Sequence, residues 1–241
     1  MKPKNTMIFI AGLILLLVFV NMGGHLQAKD SDKSLYITDS SYATMLIPAV
    51  DETGEGIVTN LTVQVKLGSG RSLVDINNLF FWVDTQNSIR TAKDVAQKFT
   101  GADLKNYDII YSIVANASAV EGPSAGAAIA IATIAALENK NLKRDAMITG
   151  TINPDGSIGK VGDVMAKAAA AKSFNATLFL IPAGQSEQTT NGYEKACKNY
   201  LVARTCSSVW MSRSVDVGKE AGIEIVEVSG VKDAMRYLVV E

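Results

Sequence analysis

Glu121-Gly122-Pro123-Ser124-Ala125-Gly126-Ala127-Ala128 lies between a β-branched run and an alanine-rich one, and the reading of this junction decides the fold. Upstream, Tyr107-Asp108-Ile109-Ile110-Tyr111-Ser112-Ile113-Val114-Ala115 is rich in β-branched and aromatic residues and lacks Gly and Pro, as a strand does. Downstream, residues 127–137 are almost all Ala, Ile and Thr, and a run of that length reads as a buried helix. Pro123 stands at the helix edge, where a missing N–H costs nothing. Ser124 is thereby placed in the first turn of a helix. Free N–H groups and the positive end of the helix dipole collect there, so the site can stabilise an oxyanion or bind a phosphate. Gly122, Ala125 and Gly126 keep bulk away, so a substrate or another backbone can come close. An ordinary cap in a tightly packed turn would carry the same residues.

Working outward, the other elements alternate in type. Residues 43–50 and 57–67 read as strands around the turn Glu52-Thr53-Gly54-Glu55-Gly56, and residues 73–76 as a third, together an antiparallel opening. Ile89, Ala92, Val95, Ala96 and Phe99 fall at helical spacing over residues 88–99, before a Gly101 stop. Residues 146–152 read as a strand, Asn153-Pro154-Asp155-Gly156 as a turn, residues 163–172 as a helix and residues 177–181 as a buried strand. Residues 184–218 form a polar insertion. A strand over 223–228 and a helix over 231–239, capped by Ser229, close the chain. No internal repeat appears. The mixed order predicts one α/β domain over residues 43–241.

The chain has 241 residues, 48% of them hydrophobic, and a formal net charge of −1. No basic tract is present, which argues against nucleic acid as a partner. His25 is the single histidine, so a Ser-His-Asp triad, a Cys-His dyad and a multi-histidine metal site are all excluded from the body. A nucleophilic Ser124 would need a lysine or a carboxylate as its base.

Lys2 and Lys4 precede an apolar run over residues 7–20, the pattern of an export segment. Residues 1–28 are either a signal peptide, ending at the imperfect site Leu26-Gln27-Ala28, or a retained membrane anchor. The run is short against the roughly 20 apolar residues of a spanning helix, a mismatch that tilt or bilayer thinning can absorb. Both readings place the body outside the cytoplasm, behind a polar tether over residues 29–42. Export would also allow Cys197 and Cys206 to pair, two unpaired thiols being the alternative. Asn60, Asn116 and Asn175 open N-x-[ST] triplets, a pattern frequent by chance.

Lys143, Lys160, Lys167 and Lys172 are the candidate lysines of the body. Lys167 differs because it sits mid-helix among alanines, where packing against the Ser124 helix would strip its ammonium of water and lower its pKa. A neutral amine can take a proton from a serine. Read alone, a solvated helix lysine fits as well.

Three blocks in one order bear on that choice: Glu121-Gly122-Pro123-Ser124-Ala125-Gly126, then Arg144-Asp145-Ala146-Met147-Ile148-Thr149-Gly150, then Gly156-Ser157-Ile158-Gly159-Lys160-Val161-Gly162 with Lys167, 43 residues after Ser124. In order and spacing the sequence resembles the proteolytic domain of the Lon protease family, with weaker similarity at Gly56-Ile57-Val58-Thr59, Gln86-Asn87-Ser88 and Leu180-Ile181-Pro182. The resemblance implies a Ser-Lys dyad endopeptidase with Ser124 as nucleophile and Lys167 as general base. Backbone N–H groups in the Gly122, Pro123, Ser124 and Ala125 turn would form the oxyanion hole. Thr149 matches the threonine that orients the lysine, and Glu121 stands where many members carry Asp. No G-x-x-x-x-G-K-[ST] motif occurs, so the expected enzyme is ATP-independent, most like exported or membrane-tethered Lon-like proteins of archaea. Its expected partners are unfolded or flexible polypeptides and, through the N-terminal segment, the membrane. No cofactor or metal is expected, and self-association is left open. Two other readings remain at this point: a small-molecule kinase-like phosphate binder, and a catalytically silent binding module of the same fold.

Overall fold

The computed structural model describes residues 40–75, 80–81, 83–114, 119–120 and 122–240. The export segment, Glu121 and Asn116 lie outside the described residues.

Strands β1 (Ser40–Val50) and β2 (Gly56–Leu67) form a long antiparallel hairpin. Thr59, Leu61, Val63 and Val65 alternate inward along β2, as a half-buried strand requires. β1 starts three residues before the expected strand, so Ser40 to Tyr42 belong to the sheet rather than to a tether. The hairpin turn is held by the Asp51 carboxylate, which accepts the Thr53 hydroxyl at 2.7 Å and the Thr53 and Glu55 N–H groups at 2.9 Å each.

β3 (Ser72–Val74) and β5 (Tyr107–Val114) complete this sheet in the order β1-β2-β5-β3. The expected antiparallel opening holds for β1 and β2, and β5 also runs antiparallel to β2, but β3 runs parallel to β5. Helix α1 (Val83–Thr100) lies between β3 and β5 in sequence, the crossover that a parallel pair needs. α1 begins five residues before the expected helix, and Phe99, expected on its core face, is exposed. Short strands β4 (Phe80–Phe81) and β6 (Ala119–Val120) pair in parallel.

Helix α2 (Gly126–Leu137) is buried at every one of its residues. It packs against α1, against β1 and β2, and with the last helix, α5 (Val231–Leu238). Each isoleucine it removes from water contributes roughly 1.5–3 kcal/mol. α5 is amphipathic, burying Val231, Ala234, Met235 and Leu238, and its N-cap is Gly230 rather than Ser229, with no side-chain capping bond.

The strand expected over 146–152 is broken. β7 (Ala146–Ile148) ends before Thr149, and β8 (Thr151–Ile152) turns away to pair with β9 (Ile158–Gly159) around the expected 153–156 turn. Helix α3 (Val164–Ser173) follows, then β10 (Leu178–Pro182) and β13 (Glu224–Val228), which form a parallel sheet with β7 in the order β13-β10-β7. Val164, Ala168 and Ala171 of α3 join Met147, Phe179, Ile181, Val217 and Ile223 in a second core cluster.

The segment expected to be a polar insertion is a long antiparallel hairpin, β11 (Glu187–Asn199) and β12 (Arg204–Asp216), leading into helix α4 (Val217–Ala221). Cys197 and Cys206 face each other across it and are disulfide-bonded. Asn60, the first residue of a glycosylation triplet, lies within β2 with its side-chain oxygen buried, which suits a sheet residue rather than a glycan acceptor. Among the described residues, no helix is long and apolar enough to cross a membrane.

A two-stranded ribbon is marginal in water without further support. Replacing Cys197 and Cys206 by serine is therefore expected to speed amide exchange throughout 187–216 by at least tenfold while leaving α2 protected, measured by hydrogen–deuterium exchange.

Candidate active site

Gly122 opens the site. Its φ of 84° lies in the region that a side chain disfavours, and it lets the chain turn into a single 3-10 turn, Pro123–Ala125, before α2 begins. Ser124 is therefore in a turn that precedes the helix rather than in the helix itself, as the residues predicted to within one turn.

That turn is fastened to the break after β7. Gly150 N–H donates to the Ser124 carbonyl at 2.9 Å, and Ala127 N–H donates to the Gly150 carbonyl at 2.9 Å. Thr149, almost fully buried, donates from its hydroxyl to the Ser124 carbonyl at a long 3.4 Å, and its own N–H donates to Leu180 O at 3.1 Å. The Thr149 hydroxyl is thus hydrogen-bonded to the serine's backbone. The interruption of the strand is what frees these groups to hold the serine.

Lys167 comes from α3. Only 5% of it is exposed, and its Nζ donates to the Gly162 carbonyl at 3.1 Å. Burial lowers its pKa from the ordinary lysine value, and the nearby Asp163 carboxylate pulls the other way. Asp163 is the N-cap of α3 and is itself left-handed, with φ 56°, a conformation that Asp tolerates better than most residues. It turns residues 160–162 sharply into α3, which brings Gly162 O back over the lysine.

Close approach sets the position of α3. A Cβ on Gly56 would run into the Ala166 carbonyl, so glycine at the head of β2 lets the helix lie directly on the strand. One cleft of about 540 Å³ is lined by Ser124, Lys167, Gly122, Pro123, Ala125, Thr151, Lys160, Gly162 and Asp163, with residues 47–52 of β1 and its turn on the opposite wall. The two residues singled out in the sequence are therefore brought to one cleft. Among the described residues, no group of His, Cys, Asp or Glu is arranged to hold a metal ion.

Gln185 went unnoticed in the sequence. Nearly buried, it pairs with Val161 on both sides: its Oε1 accepts Val161 N–H at 3.0 Å and its Nε2 donates to Val161 O at 2.7 Å. The N–H groups of Gln185 and Ser186 donate in turn to Glu227 Oε1 at 3.0 and 2.7 Å, and hydrogen bonding from the Gly184 backbone first, then from Ser186 and Gln185, holds that carboxyl down at about 2. Gln185 thereby fixes the residue adjacent to Gly162, the acceptor of the lysine. Its partner is 24 residues away, so no local pattern could have revealed it.

The model of the Lon protease (S16) C-terminal proteolytic domain matches residues 84–210, more than half of the chain, and the chain belongs to that family. It is 33% identical over 98 residues to the archaeal Lon protease of Methanothermobacter thermautotrophicus, covering 41% of this chain and 15% of that protein. Identity to the archaeal Lon protease of Methanocaldococcus jannaschii is 30% over 141 residues, 54% of this chain and 21% of the relative. The Lon protease of Phenylobacterium zucineum is 28% identical over 140 residues, 58% of this chain and 17% of its own length. The chain thus spans about a fifth or less of these relatives.

Two stability measurements follow from the site. Gly56→Ala is expected to cost about 1–3 kcal/mol by overpacking, read as a lower urea midpoint at unchanged slope. The lowered pKa of Lys167 means that its burial weakens the fold in full below the folded pKa, and the penalty fades as pH rises through that pKa toward 10.5, where the folded state binds fewer protons than the unfolded one. Lys167→Met should therefore be more stable than wild type at pH 7, with the gap narrowing as pH rises toward 10.5.

Proposed function

We propose that this protein is an ATP-independent serine endopeptidase in which Ser124 is the nucleophile and Lys167 the general base. The observation that carries the reading is a lysine buried in the wall of the cleft that Ser124 lines, with its amine held by a carbonyl rather than by a carboxylate. A desolvated amine spends more of its time neutral, and only the neutral form can accept a proton.

The reaction divides into two halves. Lys167 Nζ takes the Ser124 hydroxyl proton as Oγ attacks the scissile carbonyl carbon, and the resulting ammonium returns that proton to the leaving amine, giving an acyl-enzyme. Water then attacks the ester, with the amine again removing the proton and afterwards protonating Ser124. The carbonyl oxygen carries negative charge in both tetrahedral species and needs N–H donors. Gly126 N–H is committed to Pro123 O and Ala127 N–H to Gly150 O, so the oxyanion would rely on the N–H groups of Ser124 and Gly122. Pro123 has no N–H to offer.

Lon-family membership supports the peptidase over the kinase-like phosphate binder, which drew on fold-level likeness alone. For substrates we propose unfolded or flexible polypeptides, which can lay an extended backbone into the cleft that Ser124 and Lys167 line. The lysine-flanked apolar run over residues 7–20 supports a body held outside the cytoplasm at the membrane.

Ser124→Ala and Lys167→Ala should each lower hydrolysis of an unfolded substrate such as casein by on the order of 10³-fold, with circular dichroism unchanged. Unaltered cleavage in both would end the assignment. The pH profile gives a sharper test, since kcat/KM should fall as pH drops through the lysine's pKa. Asp163→Asn removes the charge that raises that pKa and should move the acid limb to lower pH. Gln185→Ala frees the loop, admits water and should move the limb upward, lowering kcat more than it changes KM.

A further inference from the structure

The β11–β12 hairpin takes no part in the chemistry above, and its far end is built unlike a solvated turn. Tyr200 N–H donates to Ala203 O at 2.7 Å and Ala203 N–H returns a bond to Tyr200 O at 3.4 Å, leaving Leu201 and Val202 at the apex. Two-residue apices in water favour Gly, Asn and Asp, which suit the backbone there and the solvent. Here they are Leu and Val, 106% and 97% exposed, with Tyr200 beside them at 62%.

Charge is distributed unevenly along the ribbon. From Lys195 to Ser208 the only charged residues are Lys195, Lys198 and Arg204, all cationic. The register puts Lys195 and Arg204 on one face of the ribbon and Lys198 on the other, so the positive charges ring the shaft just behind the apex. Among the described residues, none of the three forms an ion pair, whereas at the root Arg213 meets Glu220 and Lys219 meets Asp216. The Cys197–Cys206 disulfide fixes the strands within this ring.

We propose that the hairpin tip docks on an anionic lipid bilayer, with Leu201 and Val202 entering among the headgroups and Lys195, Lys198 and Arg204 resting on lipid phosphates. Apolar side chains inserted shallowly beneath a cationic collar match the two attractions a membrane surface offers. A protein partner fits less well. Stable protein interfaces take about 800 Å² from each side, whereas the large apolar side chains ahead of the cationic collar are Tyr200, Leu201 and Val202 alone; the other exposed ones of the ribbon, Tyr193, Val209, Trp210 and Met211, lie behind it. Tyr193 and Trp210 stack edge to face at 4.8 Å, but Trp210 lies six residues behind Arg204, about 20 Å up the shaft and beyond a shallow insertion.

The proposal stands apart from the chemistry at Ser124 and from the fate of residues 1–28. A photoreactive p-benzoylphenylalanine placed at position 201 of the full chain reads the environment of the apex alone. The chain would be irradiated with vesicles of phosphatidylcholine and phosphatidylglycerol at 7:3, then with vesicles of pure phosphatidylcholine. The expected result is a lipid adduct at residue 201, about tenfold more abundant on the anionic vesicles and lost in a Lys195→Glu/Lys198→Glu/Arg204→Glu variant whose peptide hydrolysis is unchanged. Chain that sediments with vesicles but carries no adduct at 201, a cross-link to a second copy in its place, or equal adduct on both vesicles would each overturn the proposal.

Discussion

A helix without a wettable side must be enclosed, and that requirement governs this structure. α2 exposes none of its twelve residues, so α1, the β1–β2 hairpin, the β7–β8 segment and α5 are all drawn around it. Only its N-terminal end escapes enclosure. The turn that carries Ser124 therefore stands at the boundary between a dry interior and an open cleft, with the first two amides of the helix already bonded to Pro123 O and Gly150 O. Close packing reaches up to this boundary: a Cβ on Gly126, the first residue of the helix, would come within 2.9 Å of Ile152 N.

Opposed forces act on the second residue of the cleft. Removing an amine from water weakens the fold, while Asp163 nearby favours its charged form. The fold tolerates the conflict because α3 is committed elsewhere: Val164, Ala168 and Ala171 lie in the second core, and Ala166 sits against Gly56. Functional sites commonly hold groups in states that stability alone would not select. A left-handed Asp163 beside an almost buried lysine is such a place, two local departures sustained by packing on either side.

Much of the fold was legible in the sequence, for reasons that particular residues make clear. The α2 segment was plain because burial on all sides leaves a continuous apolar run with no breaker, and β5 because β-branched and aromatic residues dominate a run without Gly or Pro. β1 and β2 were plain because one buried face imposes alternation. α1 started earlier than read because residues 83 to 87 carry little apolar periodicity, and β3 was placed antiparallel because three residues do not declare a direction. The β11–β12 ribbon gave no strand signal, since neither face is buried and nothing selects a period of two. At the site, Ser124 and Lys167 were legible through three linked motifs. Gln185 was not, nor was the Thr149 contact with the serine's carbonyl, because both depend on residues brought together only by folding.

The hairpin enters and leaves the body at adjacent points. Val217 N–H donates to the Ser186 carbonyl at 2.8 Å, so the thirty residues between them begin and end where the backbone is already joined. Such an appendage is a cassette: its length, composition or presence can change without moving the strands on which the cleft is built. The same junction carries Gln185, so the cassette's root is shared with the loop that leads into α3. Evolution could exchange what the arm recognises while the hydrogen bonds at its base stay in place.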